Sequence, residues 1–175
     1  MRLVVVALLA FASPAAAQDG FVQPPPHVRG EGAMQRLIDD AARRSPAIQD
    51  WIDRLQTLDV TVYVRSRMFT QVDLDGRIAL VSMTGSRRYL MIELACARSE
   101  LVQMTTLGHE LFHALEIAQE PSAVDAETVA DLYARIGSQT GNTRGQRTFE
   151  TEAAIAAGLR ARRQLLSPTR HGHGT

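Results

Sequence analysis

The residues with the most chemistry in this chain are His109-Glu110-Leu111-Phe112-His113. An α-helix turns every 3.6 residues, so side chains four apart stack on one face. Two imidazoles stacked in this way can hold one divalent metal ion. Glu110 then stands beside that ion, within reach of a coordinated water from which it could take a proton. Such an arrangement activates water for hydrolysis, and it requires a helix. The run Ser99 to Gln119 contains no proline and one glycine, and Leu101, Met104, Gly108, Leu111 and Leu115 recur at steps of three and four. That apolar stripe predicts a helix over this run. Ser99 suits the N-cap, although Val102 stands where a capping box would need Glu or Gln. Gly108 costs the helix about 1 kcal/mol relative to alanine. Another segment packed closely beneath the motif would account for it.

Two histidines are one ligand short of a hydrolytic zinc site, which takes three protein ligands and leaves a fourth position for water. The extended pattern HExxHxxGxxH would need Gly at 116 and His at 119; Glu116 and Gln119 stand there instead. The third ligand must then be a carboxylate from a later segment. Glu150 and Glu152 lead, in Phe149-Glu150-Thr151-Glu152-Ala153-Ala154. Within a helix the two lie about 200° apart, so only one can face the metal. Glu150 is preferred, because Ala153, Ala154 and Ala157 would share its side and allow close packing against the motif helix. An acid in a first turn also suits the helix dipole, which is the plain structural role for the other. Asp131 and Glu127 are weaker alternatives. Glu116, one turn past His113, either orients a ligand or faces solvent.

The remaining sequence shows what must position these groups. Met1-Arg2, the apolar run Leu3 to Ala12 and Ala15-Ala16-Ala17 read as a signal peptide over residues 1–17, too short to span a bilayer. Residues 18–31, with Pro24-Pro25-Pro26, read as an extended leader in which His27 is exposed to solvent. Residues 32–166 form one domain, and 167–175, with His171 and His173, a flexible tail. Met34 to Arg44 predicts a helix. Ser45-Pro46 opens another, with Ile48, Trp51, Ile52 and Leu55 as its stripe. Val60, Val62 and Val64 alternate with Thr61, Tyr63 and Arg65, a half-buried strand. Asp75-Gly76 is a turn signal. Ile78 to Met83 and Tyr89 to Ala95 predict an antiparallel hairpin leading into the motif helix. Val124 to Ile136 reads as a helix, Ser138 to Arg147 as a polar loop, and Phe149 to Leu166 as a last helix. The fold class is α+β: N-terminal helices, a small antiparallel sheet, the motif helix, and a C-terminal helix bearing the third ligand.

Composition excludes several classes. Nineteen basic and nineteen acidic residues in 175 balance to zero net charge, so nothing favours nucleic acid or an anionic membrane surface. Cys96 is the only cysteine, so no internal disulfide forms. Within the apolar run Tyr89 to Ala97 it reads as a small buried hydrophobe.

On HELFH and a downstream glutamate, the chain resembles zincin-fold metalloproteases of the gluzincin type. The segments LGHELFHALEIA, YARIG and FETEAAIAAG, between Tyr89 and Arg163, resemble those of small exported bacterial zinc proteases. The resemblance implies one Zn2+ per chain held by His109, His113 and Glu150, with Glu110 as the catalytic base. Thermolysin-like enzymes place an Asp four residues after the ligand Glu, supporting the first His; here that residue is Ala154. Support must then come from Glu116, Asp125, Asp131 or a backbone carbonyl. Tyr133 and Arg147 are the candidate donors to the oxyanion. The strand Tyr89 to Ala95 is the expected edge for an extended peptide or unfolded protein substrate. The expected function is peptide hydrolysis in the periplasm or outside the cell, with no membrane association after signal cleavage. The alternatives are an exported zinc-binding domain without activity and a zinc amidase acting on cell-wall peptides.

Overall fold

The computed structural model describes residues 25–71, 73–143 and 146–167, without the side chains of 142–147. The expected signal peptide, the leader before residue 25 and the tail from 168, with His171 and His173, lie outside the described residues. The chain is α+β, with five helices and a four-stranded mixed sheet among the described residues. In order these are β1 (Val28–Gly30), α1 (Ala33–Arg44), α2 (Pro46–Gln56), β2 (Val60–Arg67), β3 (Gly76–Thr84), β4 (Arg87–Ala95), α3 (Glu100–Gln119), α4 (Ala126–Ile136), β5 (Ser138–Thr143), β6 (Gln146–Glu150) and α5 (Glu152–Leu166). None of these helices is long and apolar enough to cross a membrane.

The strand order is β1-β2-β4-β3, with β1, β2 and β4 parallel and only β3 antiparallel. The β3–β4 hairpin forms as expected, turning at Gly85 with φ of 60°. The all-antiparallel sheet is corrected. Strand β3 follows β2 in the chain but lies beyond β4 in the sheet, so β2 pairs with β4 in parallel, Val62 opposite Leu90. The pair α1 and α2 supplies the crossover that parallel β1 and β2 require. Two other expectations change. Residues 28–30 of the expected leader are β1, paired Val28 to Val62. His27 is half-buried, its Nδ1 3.1 Å from the Leu55 carbonyl oxygen and its Nε2 3.1 Å from an Arg87 nitrogen. Within the expected loop 138–147, residues 138–143 and 146–147 belong to the antiparallel strands β5 and β6.

One sheet face is buried. Val60, Val62, Val64, Leu90, Ile92 and Leu94 pack with Ile48, Trp51 and Leu55 of α2 and Met104, Leu107, Leu111 and Leu115 of α3. Helix α3 is buried over most of its circumference: Met104, Gly108, Leu111 and Leu115 of the predicted stripe are inside and Leu101 is half-buried, and Glu110, His113, Ala114 and Ile117 are inside too. Its C-terminus is fixed by Arg88, which points to the helix side of β4. That buried guanidinium donates to the carbonyls of Ile117, Ala118 and Glu120 at 2.7 Å and Ala123 at 3.4 Å. They lie at and just past the helix end, where carbonyls run short of backbone donors, and the cation also answers the dipole there. At the other end of the fold Ser45 caps α2, accepting from Ile48 N and donating to Gln164 of α5 at 2.7 Å. Cys96 is exposed, contrary to expectation: β4 ends at Ala95, so the thiol sits one residue past the buried run, in the turn before α3.

Candidate metal centre

One turn of α3 brings His109 and His113 to a ring separation of 4.8 Å with their planes nearly perpendicular. Glu150 meets both. Its Oε1 is 3.1 Å from His113 Nε2 and its Oε2 3.2 Å from His109 Nε2. The ligating atoms of the three residues lie within 4.8 Å of one another. Two imidazole nitrogens and a carboxylate oxygen converging this closely can hold one metal ion.

Glu150 is the preferred candidate, but its element differs from the one expected. It is the last residue of β6, and α5 begins at Glu152 behind an N-cap at Thr151. Glu152 and Ala153 are exposed. The face of α5 against α3 is Ala154, Ala157, Gly158 and Ala161. Two glycines let these helices approach. A Cβ at Gly108 would meet Ala161 Cβ at 2.8 Å, and one at Gly158 would meet His109 Cβ at 3.3 Å and Nδ1 at 3.4 Å. The cost of Gly108 to α3 is thereby explained. Gly158 is visible in the sequence as a lone glycine in an alanine-rich helix, the signature of a close approach.

The second carboxylate at the site is Glu116. Its Oε2 is 2.7 Å from His113 Nδ1, and its Oε1 accepts from the Thr151 hydroxyl at 2.8 Å. A proton held on Nδ1 by Glu116 leaves Nε2 as the ligating nitrogen. Asp125 instead caps α4 in a box with Thr128; Asp131, the other candidate support, is exposed, as is Glu127, the other alternative third ligand. Ala154 is buried and offers no side-chain donor or acceptor.

Electrostatics follow from burial and these contacts. Burial opposes the charged form of His113, but Glu116, Glu150 and Glu110 outweigh it and push the imidazole up to about 9. Burial likewise opposes the Glu150 carboxylate, yet the two imidazoles hold it down at about 2. Glu110 is shifted the other way. It is almost fully buried, and desolvation raises its pKa despite His113 and His109 nearby, with Glu150 adding to the rise. A carboxylate with a raised pKa holds a proton more readily, as a general base must. Glu110 borders the sheet at Gly76. A Cβ there would lie 2.4 Å from Thr106 Cγ2 and 3.4 Å from Glu110 Oε1, so only glycine lets β3 pass this close. The sequence had suggested Gly76 only as a turn residue.

Tyr133 sits behind the ligands. It is buried, its ring stands perpendicular to His113 at 5.3 Å and stacks on Phe149 at 6.1 Å, and its hydroxyl donates to the His113 carbonyl at 3.3 Å. Burial and the carboxylates of Glu116 and Glu110 raise its pKa, so the hydroxyl keeps its proton. The side chain of Arg147 lies outside the described residues. Comparison with protein-family models, curated proteins and solved structures finds no match to this chain.

Proposed function

We propose that this chain is an exported zinc metallopeptidase that hydrolyses peptide bonds with His109, His113 and Glu150 as the metal ligands and Glu110 as the general base. The observation that carries this reading is the Glu150 carboxylate placed between both Nε2 atoms at 3.1 and 3.2 Å. Three such donors with a base alongside are the makeup of a hydrolytic site rather than of a four-ligand structural one. A downstream glutamate as third ligand is also what the resemblance to gluzincin-type zincins requires. Zinc bound there supplies Lewis-acid polarisation of the scissile carbonyl and lowers the pKa of a coordinated water to about 7.

The protein's own groups do the remaining work. Glu110 takes the proton of the attacking water and returns it to the leaving amine. Glu116 holds the His113 ring in its orientation. Tyr133, whose hydroxyl is spent on the His113 carbonyl, supports that helix turn rather than the oxyanion. The substrate strand docks on β3 and not on the segment Tyr89 to Ala95, because β4 is flanked on both sides while β3 is the sheet edge that passes Glu110. Edge strand β3 has no residue that is fully buried, and it presents Val81 and Met83 to solvent. Such an edge is a template for pairing with an extended peptide.

The test is Glu110→Gln. The variant should keep one zinc per chain by elemental analysis and lose casein hydrolysis by a factor of about 100 or more. Full activity in that variant would remove Glu110 as the base and sink the mechanism. A second reading rests on Ala154, which offers no acid to support His109: an exported zinc-binding domain without turnover. It predicts zinc-loaded wild-type protein that hydrolyses nothing.

A further inference from the structure

The sheet face turned away from the helices carries a cluster of charge that the proposed chemistry leaves unused. Glu93 of β4 is only 3% exposed, and three arginines share it. Arg65 donates to Oε1 through Nε at 2.8 Å and through Nη2; Arg67 donates to the same oxygen at 2.7 Å; Arg77 donates to Oε2 through Nε at 2.6 Å. Arg65 and Arg77 are the direct cross-strand neighbours of Glu93 on β2 and β3. Burial disfavours the carboxylate, yet the three guanidiniums hold its pKa down at about 2, so it is ionised. Three cations on one anion leave two positive charges uncompensated. Each guanidinium has five N–H donors and gives Glu93 one or two of them. The side chains of Arg65, Arg67 and Arg77 are 56%, 43% and 40% exposed, so each remains accessible from solvent, with Arg77 lying 5.8 Å over the Phe69 ring. The nearby Asp75 is engaged by Arg98 at 2.6 Å.

This cluster reaches the edge strand one residue from the catalytic base. Gly76 borders Glu110, and Arg77 follows it with its side chain on the opposite face of the sheet. A peptide added to the free edge of β3 alternates its side chains between the same two faces. Where one residue of the peptide faces α3 beside Gly76, the next stands laterally to Arg77, at the roughly 5 Å typical of cross-strand neighbours. We infer that β3 selects substrates carrying an Asp or Glu side chain at that position, received by the guanidinium of Arg77 within the positive field of Arg65 and Arg67, which stand two strands further in. The inference rests on the peptidase reading for its substrate, and it makes these arginines specificity residues outside the metal centre.

The experiment separates the two. Fluorescein-labelled ten-residue peptides of Ala, Val and Thr with one central Glu, Gln or Lys are titrated at low salt into zinc-loaded full-length Glu110→Gln protein. Cleavage of the same peptides by the wild type is followed in parallel. The Glu peptide should bind about tenfold tighter than the Gln peptide, with Lys weakest. Arg77→Gln should bring the Glu and Gln peptides level without weakening the Gln peptide. Arg67→Gln, which leaves Glu93 two partners, should narrow the gap and serves if Arg77→Gln does not fold by circular dichroism. Equal binding of Glu and Gln peptides overturns the inference. Cleavage without preference overturns it while the hydrolase reading stands. Preference without cleavage by the wild type keeps the acidic subsite and removes the hydrolase reading. Neither binding nor cleavage removes both.

Discussion

Gly158→Ala separates the demands of the metal from those of the fold. The added methyl would lie 3.3 Å from His109 Cβ and 3.4 Å from its Nδ1. Comfortable carbon contacts lie at about 3.5–4.0 Å, so the ring must retreat by ~0.3 Å. A metal ligand tolerates about 0.2 Å before its bond suffers. The displacement is passed along the rigid imidazole to Nε2, and zinc affinity should fall about tenfold, or ~1.4 kcal/mol. Stability should barely move. Alanine in a helix interior gains about 1 kcal/mol over glycine, and mild overpacking takes back about as much. The melting temperature in chelator should therefore change by no more than about 3 °C. The assay is a competition titration of zinc against a chromophoric chelator, paired with thermal melts of metal-free protein. Undiminished zinc affinity in a folded variant would refute the reasoning, because it would mean that His109 is not held against Gly158 as a ligand. A large loss of melting temperature would instead make the closeness of α5 a matter of stability alone.

Three further outcomes are expected. Tyr133→Phe should lose about 1 kcal/mol of stability with the hydrogen bond to the His113 carbonyl and keep hydrolysis within about threefold; a hundredfold fall in kcat would put the hydroxyl on the substrate. Arg88→Met takes the guanidinium from the Ala118 and Ala123 carbonyls and leaves those of Ile117 and Glu120 with one backbone donor each, and should cost about 3 kcal/mol and lower the melting temperature by ~10 °C; an unchanged melt would show that these acceptors find other partners. The pH dependence of metal-free protein follows from two opposite shifts. His113 is raised from 6.5 to about 9, so its contribution is complete below pH 6.5 and is lost as pH rises toward 9. Glu150 is lowered from 4.5 to about 2, so its contribution is complete above 4.5 and is lost as pH falls toward 2. Melting temperature in chelator should peak between pH 4.5 and 6.5, and zinc affinity should climb from 6.5 to 9 as the competing proton leaves His113. A flat melting profile from 6.5 to 9 would dispose of the His113 assignment.

What the sequence disclosed about the fold depended on how local the information was. Helix α3 and the β3–β4 hairpin were legible because the apolar stripe and the turn at Gly85 each lie within the segment they organise. The partner of β2 was not, since parallel pairing with β4 joins residues on either side of an inserted strand. The hairpin β5–β6 was hidden for another reason. Ser-Gln-Thr-Gly-Asn-Thr has none of the period-two apolar alternation by which a strand is recognised. Strand β1, at three residues, is shorter than any periodicity can register. Cys96 was misplaced by carrying an apolar run one residue beyond the strand that explained it.

The site shows how a correct residue can be reached through the wrong element. Glu150 was favoured as part of a helix whose alanines would let it approach α3, yet it closes β6, and one of those alanines, Ala153, faces solvent. The selection between Glu150 and Glu152 is made by Thr151. As N-cap it accepts from Ala154 N at 3.0 Å, which starts the helix there and turns Glu152 outward into the first turn. Its hydroxyl proton goes to Glu116 Oε1, and the other oxygen of Glu116 holds His113 Nδ1. Glu150, one residue before the cap, then meets His113 from the Nε2 side. The hydrogen bonds thus close a loop from the strand end through the cap and the supporting carboxylate to the ligand and back. Two candidate metal ligands from different elements are held in register by it. That explains why a threonine at the strand–helix junction, unremarkable as a cap, matters as much to the geometry as the motif histidines.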